Sequence, residues 1–127
     1  MKYLLDTHTL IWCFTDNDLL SEKALNLIVN PKNKKYVSIA SLFEIAIKLK
    51  INRLNLGISY DDLFALIKNR KFTLLPIKQT HLNMYLSQQT YHKDPFDRLL
   101  IATAKAEDLQ FISSDKDIKK YDVKIVW

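Results

Sequence analysis

Five short apolar runs, separated by longer stretches of helical periodicity, constrain this chain of 127 residues more than any other feature. The runs are KYLL at 2–5, KYVSI at 35–39, FTLLPI at 72–77, QFIS at 110–113 and VKIVW at 123–127. Runs this brief and this apolar suit strands buried on both faces, and such strands occur in parallel sheets whose crossover connections are helices. Between the runs, the spacing of apolar positions predicts helices over 7–14, 22–29, 41–51, 60–69, 81–89 and 95–107. The expected architecture is an α/β layered domain built on a mainly parallel sheet of five strands.

The expected helix boundaries have chemical reasons. Ser21, Ser59 and Thr80 stand where an N-cap hydroxyl would accept from the first free backbone N–H groups, and Pro31 ends the second helix. Asp94 with Pro95 behind it is a strong start signal for the sixth. Asp108 follows that helix at a place where glycine is commoner, and Asp tolerates the left-handed conformation better than most residues.

Composition narrows the class. An apolar fraction of 48% and a charged fraction of 26% are those of a globular protein. No apolar run approaches the ~18 residues of a membrane span. Lys2 precedes only three apolar residues before Asp6, which is no signal peptide, so a single cytoplasmic domain over 1–127 is expected. Cys13, the one cysteine, agrees with a reducing compartment and is expected to be a buried packing residue. His8, His81 and His92 stand far apart in the chain, and none pairs with Cys13 at zinc-site spacing. Gly57 is the only glycine, which excludes the glycine-rich phosphate loops of most nucleotide-dependent enzymes. A net charge of +5 with lysine and arginine clustered at 32–35, 48–53, 68–71 and 116–120 is the footprint either of a polyanionic partner or of a solvated lysine-rich surface.

The acids fall in a pattern relative to the strands. Asp6 directly follows the first strand, Glu44 lies just after the second, and Asp115 follows the fourth. Asp97 opens the helix that leads into the fourth. Ligands of open parallel sheets bind in the crevice beyond the carboxyl ends of the strands; Asp6, Glu44 and Asp115 would project there directly, and Asp97 could if its helix begins on the same side. All but Asp6, an acid closing an apolar strand and poorly suited to a core, have a local explanation too. Ser41 to Glu44 matches a capping box, Glu44 stands one turn before Lys48, Asp115 could cap the segment 116–121, and Asp94 and Asp97 fit the cap and first turn of a helix. Carboxylates that converge must take up protons or bind a cation, since two charges about 4 Å apart repel by roughly 4 kcal/mol at an effective dielectric of ~20. Oxygen ligands without histidine or cysteine select hard ions, Mg²⁺ or Mn²⁺. The chemistry such a centre permits is metal-assisted phosphodiester hydrolysis, with Thr7 and Ser113 placed to orient a carboxylate or a water.

Four segments in order, LLDTHTLIW (4–12), VSIASLFEIAIKLKINRLNL (37–56), HKDPFDRLLIATA (92–104) and FISSDKDI (111–118), resemble the successive motifs of PIN-domain ribonucleases. They are similar, more narrowly, to those of VapC-like toxins of bacterial and archaeal toxin–antitoxin pairs. The resemblance implies a three-layer α/β/α PIN-like fold with a five-stranded parallel sheet, and Mg²⁺- or Mn²⁺-dependent endoribonuclease activity on RNA. By it, Asp6, Glu44 and Asp97 are metal ligands and Asp115 is the more variable fourth acid. It also implies a homodimer restrained by a small cognate antitoxin. Asp108, where the family often has glycine, and Thr103, where glutamine is frequent, depart from the pattern without touching the acids.

Two readings from other classes stand beside it. A phosphoacceptor receiver module is also α/β with an acidic Mg²⁺ pocket, but it wants paired acids after its first strand and a lysine after its fifth, and Asp6 is single. A non-catalytic RNA-binding domain would keep the shape alone. Phe43, Phe64, Phe72 and Phe111 lie on apolar periodic faces and are expected in the core rather than on a base-stacking platform.

Overall fold

The computed structural model describes residues 1–127. In chain order the elements are β1 (Lys2–Leu5), α1 (Thr7–Thr15), α2 (Glu22–Val29), β2 (Lys34–Ser38), α3 (Ile39–Lys50), α4 (Tyr60–Asn69), β3 (Thr73–Leu75), α5 (Gln79–Ser87), α6 (Pro95–Glu107), β4 (Gln110–Ile112) and β5 (Ile125–Val126). Short 3₁₀ segments at Asn17–Leu19 and Lys116–Lys120 complete the chain. All four strand pairings are parallel, and the order across the sheet is β3-β2-β1-β4-β5. A receiver-type sheet runs 2-1-3-4-5, so the phosphoacceptor alternative has the wrong topology.

The strand period of two divides the core into two clusters. Tyr3 and Leu5 of β1 face one way, with Val37, Ile112 and the buried faces of α1 to α4, including Leu10, Ala24, Ile45, Leu63 and Ile67. Leu4 and Phe111 face the other way, against Leu100, Ile101 and Ala104 of α6 and Ile118. Helices therefore cover both faces, which is why β1 in the middle carries no solvent-facing position after Lys2. No helix is long and apolar enough to cross a membrane.

Most boundaries agree with local chemistry. Ser21 accepts from Ala24 N–H and Ser59 from Asp62 N–H, both at 3.0 Å. Asp94 accepts from Phe96 N–H at 2.8 Å with Pro95 behind it, and Asp108 ends α6 in the left-handed region at φ 55°.

Four expectations need correction. Thr80 does not cap the fifth helix, which begins at Gln79, two residues before the expected start, where the His81 ring accepts the Lys78 N–H. The third helix does not start at Ser41: Ser38 caps it by accepting from Ala40 N–H, so β2 passes into α3 without a loop. Ser41 and Glu44 are thus buried inside the helix rather than forming a capping box. Phe43 is 58% exposed rather than in the core, its ring packed edge-on against Phe96. Cys13 is half-buried rather than buried, and its thiol is pushed up to about 11 chiefly by burial, against the opposing charges of Arg70 and Lys35.

Two of the basic clusters meet in three dimensions. Lys34, Lys35, Arg70 and Lys71 line a cleft of about 590 Å³ near the amino ends of β2 and β3. The buried Lys35 ammonium donates to the Ile28 carbonyl at 2.8 Å, a cation on the last turn of α2.

Candidate acidic metal centre

Sheet order fixes where a site can form. The chain steps outward from β1 to β2 and β3, then returns to the other side of β1 for β4 and β5. The crevice at the carboxyl ends of β1 and β4 is the point where that direction reverses. Asp6 and Ser113 are the first residues beyond those two strands, and they are joined across it. Ser113 Oγ donates to Asp6 Oδ2, and Asp6 N–H donates to the Ile112 carbonyl at 3.1 Å. Asp6 is also the N-cap of α1, its Oδ1 accepting from Thr9 N–H at 2.7 Å. Capping and site placement are served by separate oxygens of one carboxylate. Burial raises the Asp6 pKa above the usual carboxylate value despite the lowering hydrogen bonds from Ser113 and Thr9.

Glu44 reaches the same region from the second turn of α3. Thr7 Oγ1 lies 2.7 Å from Glu44 Oε1 and 3.1 Å from Ser41 Oγ, all three side chains being buried. Lys48 Nζ sits 3.0 Å from Glu44 Oε2, the i,i+4 pair expected from the sequence. Thr7 is thus hydrogen-bonded to a carboxylate.

Asp97, in the first turn of α6, has its pKa raised to about 7. Desolvation is the largest cause, the charges of Asp94, Glu44 and Asp6 push the same way, and His92 opposes them. The charges of Glu44 and Asp6 thus act on Asp97 in the same direction as its burial.

Asp115 accepts from Asp117 N–H at 2.9 Å and so caps the 3₁₀ segment, while its own N–H donates to Ser113 Oγ at 3.0 Å. Ser113 therefore touches both Asp6 and Asp115.

The residue that sequence reasoning missed is His92. Its Nε2 is 2.7 Å from Asp115 Oδ2 and 3.4 Å from Asp97 Oδ2, with the side chain largely buried. Burial alone would lower the His92 pKa, but the Asp115 hydrogen bond and the charges of Asp97, Asp115 and Asp94 outweigh it and raise it. The loop carrying it is tied down from two sides. Tyr91 N–H and His92 N–H both donate to the Tyr121 hydroxyl at 2.8 Å, and Arg98 donates to the carbonyls of His92 and Lys93. Arg98 also donates to the Tyr85 hydroxyl, joining α6 to α5. The only cue in the sequence was that His92 begins the segment already singled out for its aspartates.

The donor set fits a hard divalent ion. The carboxylates whose charges act on Asp97, those of Asp94, Glu44 and Asp6, are all oxygen donors, and no thiol is among them. His92, Asp115 and Asp117 also bring potential ligand atoms within 4.8 Å of one another, though Asp117 is exposed.

The PIN domain family model matches residues 3–124. A comparison with curated protein sequences gave no significant match. Among solved structures, VapBC2 from Rickettsia felis bound to a DNA fragment from its promoter superposes with TM-score 0.72 at 15% identity, over 99% of this chain and 98% of that one. A toxin–antitoxin complex from Klebsiella pneumoniae gives 0.68 at 20% identity over 98% and 96%. VapBC-5 from Mycobacterium tuberculosis, a member of the VapBC family of toxin–antitoxin systems, gives 0.57 at 16% identity over 98% and 97%. At these identities the likeness is one of fold.

Proposed function

The chain belongs to the PIN domain family, and from that premise we propose that it is a nuclease, a Mg²⁺- or Mn²⁺-dependent endoribonuclease acting as the toxin of a toxin–antitoxin pair. The observation that carries the reading is the buried Asp6 carboxylate at the reversal point of the sheet, with the pKa of Asp97 raised to about 7 chiefly by burial and further by the charges of Asp94, Glu44 and Asp6. Solved toxin–antitoxin complexes share the fold along nearly their whole length, which favours a cognate antitoxin as partner and a single cytoplasmic domain over 1–127.

Asp6, Glu44 and Asp97 would hold the ion, with Asp115 at its margin. When bound, a hard divalent ion lowers the pKa of a water and stabilises the leaving oxygen of a phosphodiester. The rest of the work falls to this chain. Ser113 and Thr7 hold the Asp6 and Glu44 carboxylates in register, and Lys48 offsets the charge on Glu44. The net charge of +5 supplies long-range attraction for a polyanion.

An apolar patch supports the homodimer. Phe43, Ile77, Leu82, Phe96 and Leu99 surround an almost wholly apolar hollow of about 320 Å³ between α3, α5 and α6. Contiguous exposed apolar surface of this kind marks association sites.

The decisive experiment is cleavage of RNA by rigorously purified protein. Activity should be lost in EDTA, restored by Mg²⁺ or Mn²⁺, and absent from Asp6→Asn and Asp97→Asn proteins with native circular dichroism. Full activity of Asp6→Asn would overturn the proposal. Salt-sensitive RNA binding that ignores EDTA, with no cleavage, would point to a non-catalytic RNA-binding domain instead.

A further inference from the structure

We propose that His92 is a positioning residue of the acidic centre: it is not a ligand, and it donates one fixed hydrogen bond that sets the Asp115 carboxylate beside Asp97. The inference rests on the metal-centre reading above and goes beyond it, because it assigns a role to a residue outside the acid set.

The two ring nitrogens are told apart by their partners. Nδ1 faces the Asp94 N–H at 3.1 Å, and a backbone N–H can only donate. Nδ1 is therefore the acceptor, which leaves the hydrogen on Nε2. That N–H points at Asp115 Oδ2 at 2.7 Å, with Asp97 Oδ2 at 3.4 Å. A nitrogen carrying its proton toward two carboxylates has no lone pair for a cation, so His92 with Asp115 and Asp117 does not form a mixed nitrogen–oxygen metal site in this arrangement.

The remaining contacts keep that geometry. Asp115 Oδ1 is taken by Asp117 N–H, so its two oxygens are held by donors from different segments and the carboxylate cannot rotate freely. The backbone of His92 is itself clamped, its N–H on the Tyr121 hydroxyl and its carbonyl on Arg98. Asp94 links the parts: its side chain caps α6, which carries Asp97, while its N–H sets the His92 tautomer. The segment 92–98 thus fixes one acid directly and a second through an imidazole. Outer partners of this kind matter by orienting ligands, and their loss typically lowers metal affinity or activity about 10- to 100-fold.

The competing reading is that the imidazole merely fills the cation's place, and it predicts the opposite sign. The test is Mn²⁺ binding to the full chain by isothermal titration calorimetry, without RNA, for wild type, His92→Gln, His92→Asn and Asp97→Asn. Glutamine can still extend an N–H toward Asp115. Asparagine can accept from Asp94 N–H, which holds the loop, but is too short to reach Asp115. We expect His92→Asn to weaken Mn²⁺ binding about 10- to 100-fold, His92→Gln to stay within a few-fold of wild type, and both to keep the wild-type melting temperature in EDTA within a few degrees. Equal or tighter Mn²⁺ binding by His92→Asn, with Asp97→Asn impaired, overturns the role of His92 and leaves the metal centre standing. Failure of the wild type to bind Mn²⁺ overturns both.

Discussion

Asp97 carries the clearest single-residue consequence of the site. Its folded pKa, near 7, stands well above its ordinary value of 3.8, so the folded state holds a proton that the unfolded chain has released. In protein free of divalent ions, stability should therefore fall as pH rises from about 4 through about 7. The full displacement corresponds to about 4 kcal/mol, which screening at a side chain 20% exposed reduces to on the order of 2 kcal/mol. Asp97→Asn removes the charge, so urea unfolding in EDTA should find it more stable than wild type by about that amount at pH 8, with the gap closing toward pH 4. A gap of equal size at both pH values would show that ionisation of Asp97 is not its cause. Ser113→Ala tests the neighbouring contact: it frees the Asp6 carboxylate and should cost roughly 1.5 to 3 kcal/mol at neutral pH by the same assay. The positions of the acids in the fold were legible in the sequence because each sits at a fixed offset from a strand or a cap. His92 was not, since its placement depends on the Tyr121 hydroxyl, 29 residues away and outside any local pattern.

At the scale of elements, α6 is where local chemistry and the site coincide. Asp94→Ala removes the cap and should lower the unfolding free energy by about 0.5 to 2 kcal/mol, whereas Asp94→Ser should retain most of it. The same change deletes a charge that raises the Asp97 pKa, so the pH-dependent loss of stability should shift to lower pH in both variants. At the other end of the helix, Asp108 occupies the left-handed region at φ 55°. Asp108→Gly should stabilise by roughly 0.5 kcal/mol, measurable as a raised urea midpoint with unchanged slope. Elements bounded by side-chain caps, such as α2, α4 and α6, could be read almost to the residue. The start of α3 could not, because Ser38 serves at once as the last residue of β2 and as a cap. A hydroxyl inside an apolar run reads as strand until its partner at Ala40 N–H is known. Phe43 misled for a related reason: α3 buries Leu42 and Ile45 on one face, and helical periodicity does not say how far round the buried arc extends.

Across the whole molecule, the parallel sheet and its two-faced core followed from the apolar runs, while the order of strands did not, since run length carries no information about neighbours. That order separates this fold from the receiver arrangement. The exposed patch is a property of three helices together, because Phe43, Leu82 and Phe96 come from α3, α5 and α6. Phe43→Asp should convert a dimer to a monomer in analytical ultracentrifugation at micromolar concentration, leaving the metal-dependent thermal shift intact. A wild type that sediments as a monomer over the same range would remove the patch from consideration as a self-association surface.

The contact between Asp6 and Ser113 spans 107 positions of the chain. Every strand before β4 can emerge from a ribosome with the switch-point crevice still lacking one wall. Completion of the crevice must wait for β4 to pair beside β1, a late and non-local event of the kind that slows folding. For a protein whose proposed substrate surrounds it during its own synthesis, the topology delays competence until β4 has been made and has paired beside β1.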